Sequence, residues 1–212
     1  MAATPSMGGA RPKATVQDQE RYWLVKPVLP SDAIDIPLLE FAVQRWATAS
    51  GMCFAHTEHH SGDRGLSVVR SLRFDRHASQ RVMCLSAASL LQTAYPGAST
   101  DSWGYPALAT VLHQIGAPHE DQVELFDRMV FNAIVGNDDD HPRNHAVHYC
   151  QHSRQWRLAP AFGLQDHRYA EHHLDQLIKR VQSHASVAFE FLPPELREFM
   201  TERLAHGVGL LL

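Results

Sequence analysis

Cysteine is scarce in this sequence. Cys53, Cys84 and Cys150 are the only three in 212 residues, and no two are spaced as a C-x-x-C pair. An odd number of distant thiols excludes a disulfide framework and points to a reducing cytoplasm. Long apolar runs are also missing. No stretch approaches the roughly 18 apolar residues that a spanning helix needs, so no membrane segment is expected. The first residues, MAATPSMGGARPKA, contain no apolar core of about 7–15 residues and do not read as a signal peptide. Positive charge is not in excess either. Nineteen Lys and Arg against 23 Asp and Glu give a net charge of −4. Bulk attraction to nucleic acid or to an anionic membrane is therefore excluded, although a local basic patch is not. Neither an internal repeat nor a long low-complexity segment occurs.

What is present suits an ordinary globular chain. The apolar fraction is 44%, and the length fits one domain or two closely packed lobes with a sizeable core. Residues 4–14 are rich in Gly, Pro and small side chains and read as a loop. RYWLVKP (21–27) reads as a strand. Pro37 opens a helix whose apolar residues Leu38, Leu39, Ala42, Val43, Trp46 and Ala47 recur at helical spacing, ending near Gly51. Residues 52–81 alternate apolar pieces with turns, and His56, His59 and His60 fall in a polar turn region. Strands are expected at 66–72 and 81–85. Helices are expected at 86–94, 107–115, 121–135, 174–187 and 194–204, with short facing strands at 145–149 and 156–158. Strands concentrated early and helices late describe an α+β fold rather than an alternating βαβ one.

The most informative stretch is NAIVGNDDDHPRNHAVHYC (132–150). It closes the strongest helix in the chain, where Phe126, Met129, Val130, Ala133 and Ile134 form one stripe and Gly136 supplies the stop. Three adjacent carboxylates repel one another and are costly to desolvate. A solvated loop, a helix cap or a solubilising turn would each account for them. The cluster is nevertheless anchored directly to a core helix, and Asp139 and Asn144 bracket His141 and Arg143. A carboxylate and an amide oxygen on one side of a turn make hard-oxygen ligation suited to Mg²⁺. Such a carboxylate can equally orient a hydroxyl for attack on a phosphoryl group. His141, His145, His148 and His152 offer a competing metal-hydrolase reading. Pro142 interrupts any helix that would align the first two, and a strand would send His145 and His148 to opposite faces.

Phe131–Asn144 (FNAIVGNDDDHPRN) followed by Leu158–Phe162 (LAPAF) resembles the catalytic segment of the HipA-like serine/threonine kinases of bacterial toxin–antitoxin systems. Three further stretches agree in order. SMGGARPK (6–13) is similar to that family's Gly-rich phosphate loop. WLVK (23–26) resembles the strand carrying the phosphate-binding lysine, and RFDR (73–76) the hinge beside the adenine. Together they span residues 6–162. The resemblance implies a two-lobed, protein-kinase-like α+β fold, with a β-containing N-lobe over residues 1–85 and a helical C-lobe over 86–212. It implies ATP and Mg²⁺ as cofactors. Asp139 would be the catalytic aspartate, with His141 holding the turn. Ser6, Gly8, Gly9, Ala10 and Lys13 would form the phosphate loop, with Ser6 its autophosphorylation site. Lys26 would neutralise phosphate, with Glu40 as a partner for it. Arg73 and Phe74 would lie at the adenine end, and Asn144 and Asp166 would hold the metal. A protein substrate such as an aminoacyl-tRNA synthetase or another translation factor is implied, as is a HipB-like DNA-binding antitoxin. No direct nucleic-acid binding by this chain is expected.

One departure from the family matters. The family follows its L-x-P-x-[YF] segment with a metal-binding aspartate, whereas this chain has Gly163 there. Asp166, three residues on, is the nearest substitute. Loss of that carboxylate keeps open a second expectation, a catalytically weakened or inactive kinase-like binding module.

Overall fold

The computed structural model describes residues 3–5, 11–78, 80–93, 104–137, 140–162 and 171–211. An antiparallel five-stranded sheet comes first. Its strands are β1 (Ala3–Pro5), β2 (Ala14–Asp18), β3 (Arg21–Pro27), β4 (Thr57–Ser61) and β5 (Ser67–Leu72), in the spatial order β1-β2-β3-β5-β4. Helix α1 (Ile36–Ala49) leaves the sheet after β3 and packs back on β4 and β5. Asp35 caps it, its carboxylate accepting from the Leu38 amide at 2.9 Å, and Pro37 occupies the first turn, where its missing N–H costs nothing.

The sheet is larger than expected from the sequence. The 4–14 segment read as loop contains part of β1 and the first residue of β2, and the polar region holding His59 and His60 is the edge strand β4. Glu58 lies directly opposite Arg70, which donates to its carboxylate at 2.8 and 2.6 Å. That guanidinium also sits 4.2 Å over the Trp23 ring. On the other face His59 shares a 2.8 Å hydrogen bond with Ser67 and lies against Phe41. Cross-strand pairing of opposite charges thus stabilises a strand that lacks an apolar alternation.

The helical part begins with a second sheet of three strands, β8 (Cys84–Ser86), β9 (Ala146–Cys150) and β10 (Gln155–Leu158), in the order β10-β9-β8. A two-stranded ribbon, β6 (Arg76–His77) with β7 (Gln80–Arg81), connects it to the first sheet, so the expected 81–85 strand is split between β7 and β8. Helices α2 (Ala87–Leu90), α3 (Tyr105–Gln114), α4 (His119–Val135), α5 (Glu171–Phe189) and α6 (Pro194–Leu211) follow. α4 ends where Gly136 adopts the left-handed conformation, φ 64°, and its N–H donates to the Ala133 carbonyl.

The core lies among α1, α3, α4, α5 and α6. Trp46 is fully buried at its centre, edge-on to Phe131, and its indole N–H donates to the Val181 carbonyl at 2.7 Å. α6 crosses α4 so closely that a Cβ on Gly207 would meet Ile134 O at 2.4 Å and Ile134 Cα at 2.5 Å. Only glycine fits that crossing.

A further clasp joins the sheet part to the helical part. Phe54 and Ala161 form a parallel bridge, with Ala55 N–H donating to Ala161 O and Ala161 N–H to Cys53 O. Beneath it lies the buried Arg128 of α4. Its guanidinium donates to Ala159 O and Cys53 O, each at 2.9 Å, and to Glu124 at 2.6 Å. Glu124 in turn accepts from the Cys53 amide.

Candidate functional site

The turn after α4 is built from inside outward. Asn132, in the last turn of α4, donates to the Tyr105 hydroxyl oxygen at 3.0 Å. That hydroxyl donates to Asp140 at 2.8 Å, and His145 Nε2 donates to the same carboxylate oxygen at 2.5 Å. Asp140 is buried, so one of the three consecutive aspartates faces the interior and is held there by two donors. Burial, with the adjacent Asp140 charge, pushes the Tyr105 hydroxyl well above its usual pKa and keeps it neutral as a donor. Asp140 Oδ1 and His145 Nδ1 are buried with no hydrogen-bond partner among the described residues. The backbone is tied as firmly. Asn144 N–H donates to His141 O at 2.8 Å, and the amides opening α2 reach across, Ala87 to His145 O and Ala88 to Pro142 O. His141 and Asn144, both half-buried, therefore share one tight turn.

On β3, alternation places Leu24 and Lys26 on the face covered by α1. Lys26 Nζ lies 2.5 Å from Glu40 Oε1, and Gln44 Nε2 donates to the same oxygen at 3.0 Å. The expected lysine–glutamate pair is thus formed, and it is mostly shielded from water. Lys13 sits half-buried just ahead of β2. Arg11 reaches from the same segment to Asp32 and to Pro27 O. Its guanidinium, together with the Leu29 amide, holds the Asp32 carboxyl below the usual carboxylate range.

At the connection between the two parts, Arg73 donates to Asp75 at 2.9 and 2.6 Å and to Thr15 Oγ1 at 3.1 Å. Burial raises the Asp75 carboxyl, but the Arg73 hydrogen bonds and the Arg73 and Arg76 charges outweigh it and leave the group below its ordinary value. Phe74 stacks on Phe162 with ring centroids 5.7 Å apart, and His148 lies beside it at 6.2 Å. Burial pushes the His148 imidazole down. The RFDR segment therefore meets the LAPAF segment ring to ring.

Lys26 with Glu40, Arg73 with Phe74, and His141 with Asn144 are each placed by this framework. Ser6, Gly8, Gly9, Ala10, Asp139, Gly163 and Asp166 lie outside the described residues. Among the described residues, no three His, Cys, Asp or Glu side chains group as a metal site. The histidines of the competing reading serve other contacts, His145 at Asp140 and His148 at Phe74. Some contacts of the site had no signal in the sequence. Tyr105 looks like any helix-opening aromatic, and LAPAF gives no sign that Phe162 stacks on Phe74. Arg128 did carry a signal, as a lone cation beside the apolar stripe of α4.

A five-stranded antiparallel sheet followed by a helical part, with the lysine strand backed by a helix, defines a protein-kinase-like fold. The chain belongs to the family described as HipA-like C-terminal domain, which matches residues 5–207. Among solved structures it is similar to HipA in the Shewanella oneidensis MR-1 toxin–antitoxin complex of HipA, HipB and operator DNA. That match has a TM-score of 0.69 and 16% identity, covering 95% of this chain and 62% of the HipA chain. The chain thus spans less than two thirds of that HipA. It is similar as well to the Helicobacter pylori proinflammatory kinase CtkA, with a TM-score of 0.66, 13% identity, and coverage of 100% of this chain and 97% of CtkA. No curated protein matches the sequence. No helix among the described residues is long and apolar enough to cross a membrane.

Proposed function

We propose that this chain is an ATP- and Mg²⁺-dependent serine/threonine protein kinase core of HipA type, with the lobe boundary near residue 85. The observation that carries this reading is the Lys26–Glu40 pair, 2.5 Å long and set between β3 and α1, one strand beyond the glycine-bearing segment 6–13. An ammonium held there by a carboxylate is fixed in position yet keeps two further donors for phosphate oxygens. Arg11 anchors the end of that segment to Asp32. Asp139 would orient the attacking hydroxyl, and His141 would hold the turn. Asn144, with Asp166, would hold Mg²⁺, whose charge offsets that of the phosphates when it is bound. Asp140 is buried, and its Oδ2 is committed inward to Tyr105 and His145. Arg73 and Phe74 would border the adenine, and Ser6 would accept phosphate in cis. A protein substrate of the translation apparatus and a HipB-like antitoxin fit the same reading, the latter because the Shewanella HipA is found with HipB and operator DNA.

A second reading is favoured by Gly163, which stands where the family carries a metal-binding carboxylate. The chain would then bind nucleotide weakly or not at all and act as a kinase-shaped binding module. Radiolabelled ATP with Mg²⁺ separates the two. Label on Ser6 that disappears in Asp139→Ala supports the kinase. Absence of label in the native chain, with label appearing in Gly163→Asp, supports the module.

A further inference from the structure

The β8–β9 face carries a cleft remote in function from the turn and the lysine strand. Its volume is about 460 Å³, and its lining residues are Arg81, Met83, Tyr149, Gln151 and Arg154. None of the five is acidic, in a chain whose net charge is −4. Three local features run against stability in this cleft and on the chain beside it. First, Arg81 lies directly opposite Arg76 on the β6–β7 ribbon, a like-charge cross-strand pair, and among the described residues only Arg76 of the two is close to a carboxylate, Asp75 at 3.5 Å. Second, Arg154 closes the β9–β10 hairpin with φ 54°, in the left-handed region where glycine or asparagine is the stable choice. It is one of four described non-glycine residues with positive φ, and the only one of them in the cleft. Third, Met83 is 65% exposed and Leu85 40% exposed, large apolar side chains left in water. Local rules broken together without a structural gain mark a surface kept for something else.

The spacing says what kind of partner fits. Arg81, Met83 and Leu85 are alternate residues of an extended segment, all exposed, while Val82 and Cys84 between them are partly covered. β8 is the edge of its sheet in the order β10-β9-β8, and Tyr149 N–H donates to Met83 O at 2.9 Å, which holds the segment extended. We infer that this edge docks an extended acidic segment of another protein, its carboxylates meeting Arg81 and Arg154 and its alternate aliphatic side chains covering Met83 and Leu85. The aliphatic character of the exposed pair favours a peptide over nucleic acid, which would seek a longer basic track and more rings than Tyr149 alone supplies.

Fluorescence polarisation tests this with the full chain and a fluorescein-labelled peptide, Glu-Asp-Thr-Ile-Thr-Leu-Thr-Asp-Glu, whose Asp, Ile, Leu and Asp side chains share one face. Saturable binding is expected, with none for the same peptide carrying Lys in place of each acid. Arg81→Glu with Arg154→Glu weakens binding about tenfold or more, and added salt weakens it as well. Met83→Ser weakens it with unchanged salt dependence. Arg154→Gly is the most telling variant. It relieves the left-handed strain, so it melts about 2 °C higher while binding the peptide less well. Equal binding of the lysine peptide, native-like binding by the variants, or no binding at all overturns the proposal. So does tighter binding of a thymidine oligonucleotide through the same arginines, which would make the face a nucleic-acid surface.

Discussion

Arg128→Ala tests how the sheet part is fastened to the helical part. The guanidinium is buried and serves three acceptors at 2.6–2.9 Å, namely Glu124, Ala159 O and Cys53 O. Hydrogen bonds from a charged donor contribute about 1.5–3 kcal/mol each, which would sum to roughly 4.5–9 kcal/mol if they were independent. They are not, because one guanidinium serves all three, and Glu124 keeps some contact with water. Its Oε1 also retains the Cys53 amide in the variant. Removing one partner of a buried charge pair costs about 3–5 kcal/mol, and the lower half of that range is expected here. With a urea slope of about 2 kcal/mol per molar, the unfolding midpoint should fall by about 1.5–2 M. Arg128→Met keeps the volume but leaves the Ala159 carbonyl without its donor and Cys53 O with the Ala161 amide alone, so it should lose nearly as much. Glu124→Gln should cost less, since the amide oxygen can still accept from Arg128. A midpoint shift below about 0.5 M for Arg128→Met would refute the claim that these hydrogen bonds, and not the packing of the arginine stem, hold the Ala159–Ala161 segment against Phe54.

Gly207→Ala should destabilise the chain by about 3 kcal/mol or more, read as a drop of roughly 6–12 °C in melting temperature, because the new Cβ would overlap backbone atoms of Ile134 that have no rotamer to escape into. Gly209→Ala, two residues on, meets nothing within 4 Å and should be neutral or slightly stabilising by the same measurement. Thiol alkylation followed by mass spectrometry should rank Cys150 ahead of Cys84 at pH 8. Burial and the nearby Asp75 charge push the Cys84 thiol up to about 11, whereas hydrogen bonding from Ser153 lowers that of Cys150. The carboxyls of Asp32 and Asp75 have native values below the unfolded one. The stability they contribute is therefore present above about pH 4 and is lost as pH falls through the native values. Arg73→Gln should shrink that acid-side loss in urea titrations between neutral pH and pH 3.

Much of this architecture is legible in the residues because its helices and inner strands follow their periods. RYWLVKP forms β3 as read, and the stripe from Phe126 to Ile134 gives α4 with its glycine stop. The failures share one physical cause, which is that they depend on long-range partners. β4 has no apolar alternation and exists because Arg70 faces Glu58 across the sheet. α6 runs seven residues past Leu204, the expected end, to Leu211, because Gly207 lets it lie against α4, a requirement set by Ile134 on another helix. In the site, Lys26 and Glu40 could be paired on paper from strand and helix geometry. The partnership of Tyr105 with Asp140, 35 residues apart, could not.

The three aspartates that close α4 are costly only if all three face the same surroundings. Asp140 leaves the cluster by turning inward, where a phenol kept neutral by its own burial and a histidine share one of its oxygens. Turning inward removes a negative charge from the outer side of the turn and fixes the backbone on either side of residues 138 and 139. The same carboxylate then pulls His145, and with it the start of β9, against the opening of α2. A loop kept acidic merely for solubility would have no use for such anchoring, because solvated carboxylates need no fixed geometry. A turn that has to present a carboxylate and the Asn144 amide oxygen at a set separation does need it, since small displacements of positioned groups cost large factors in rate or affinity. Asp140 is therefore best understood as a support for the turn that carries His141 and Asn144.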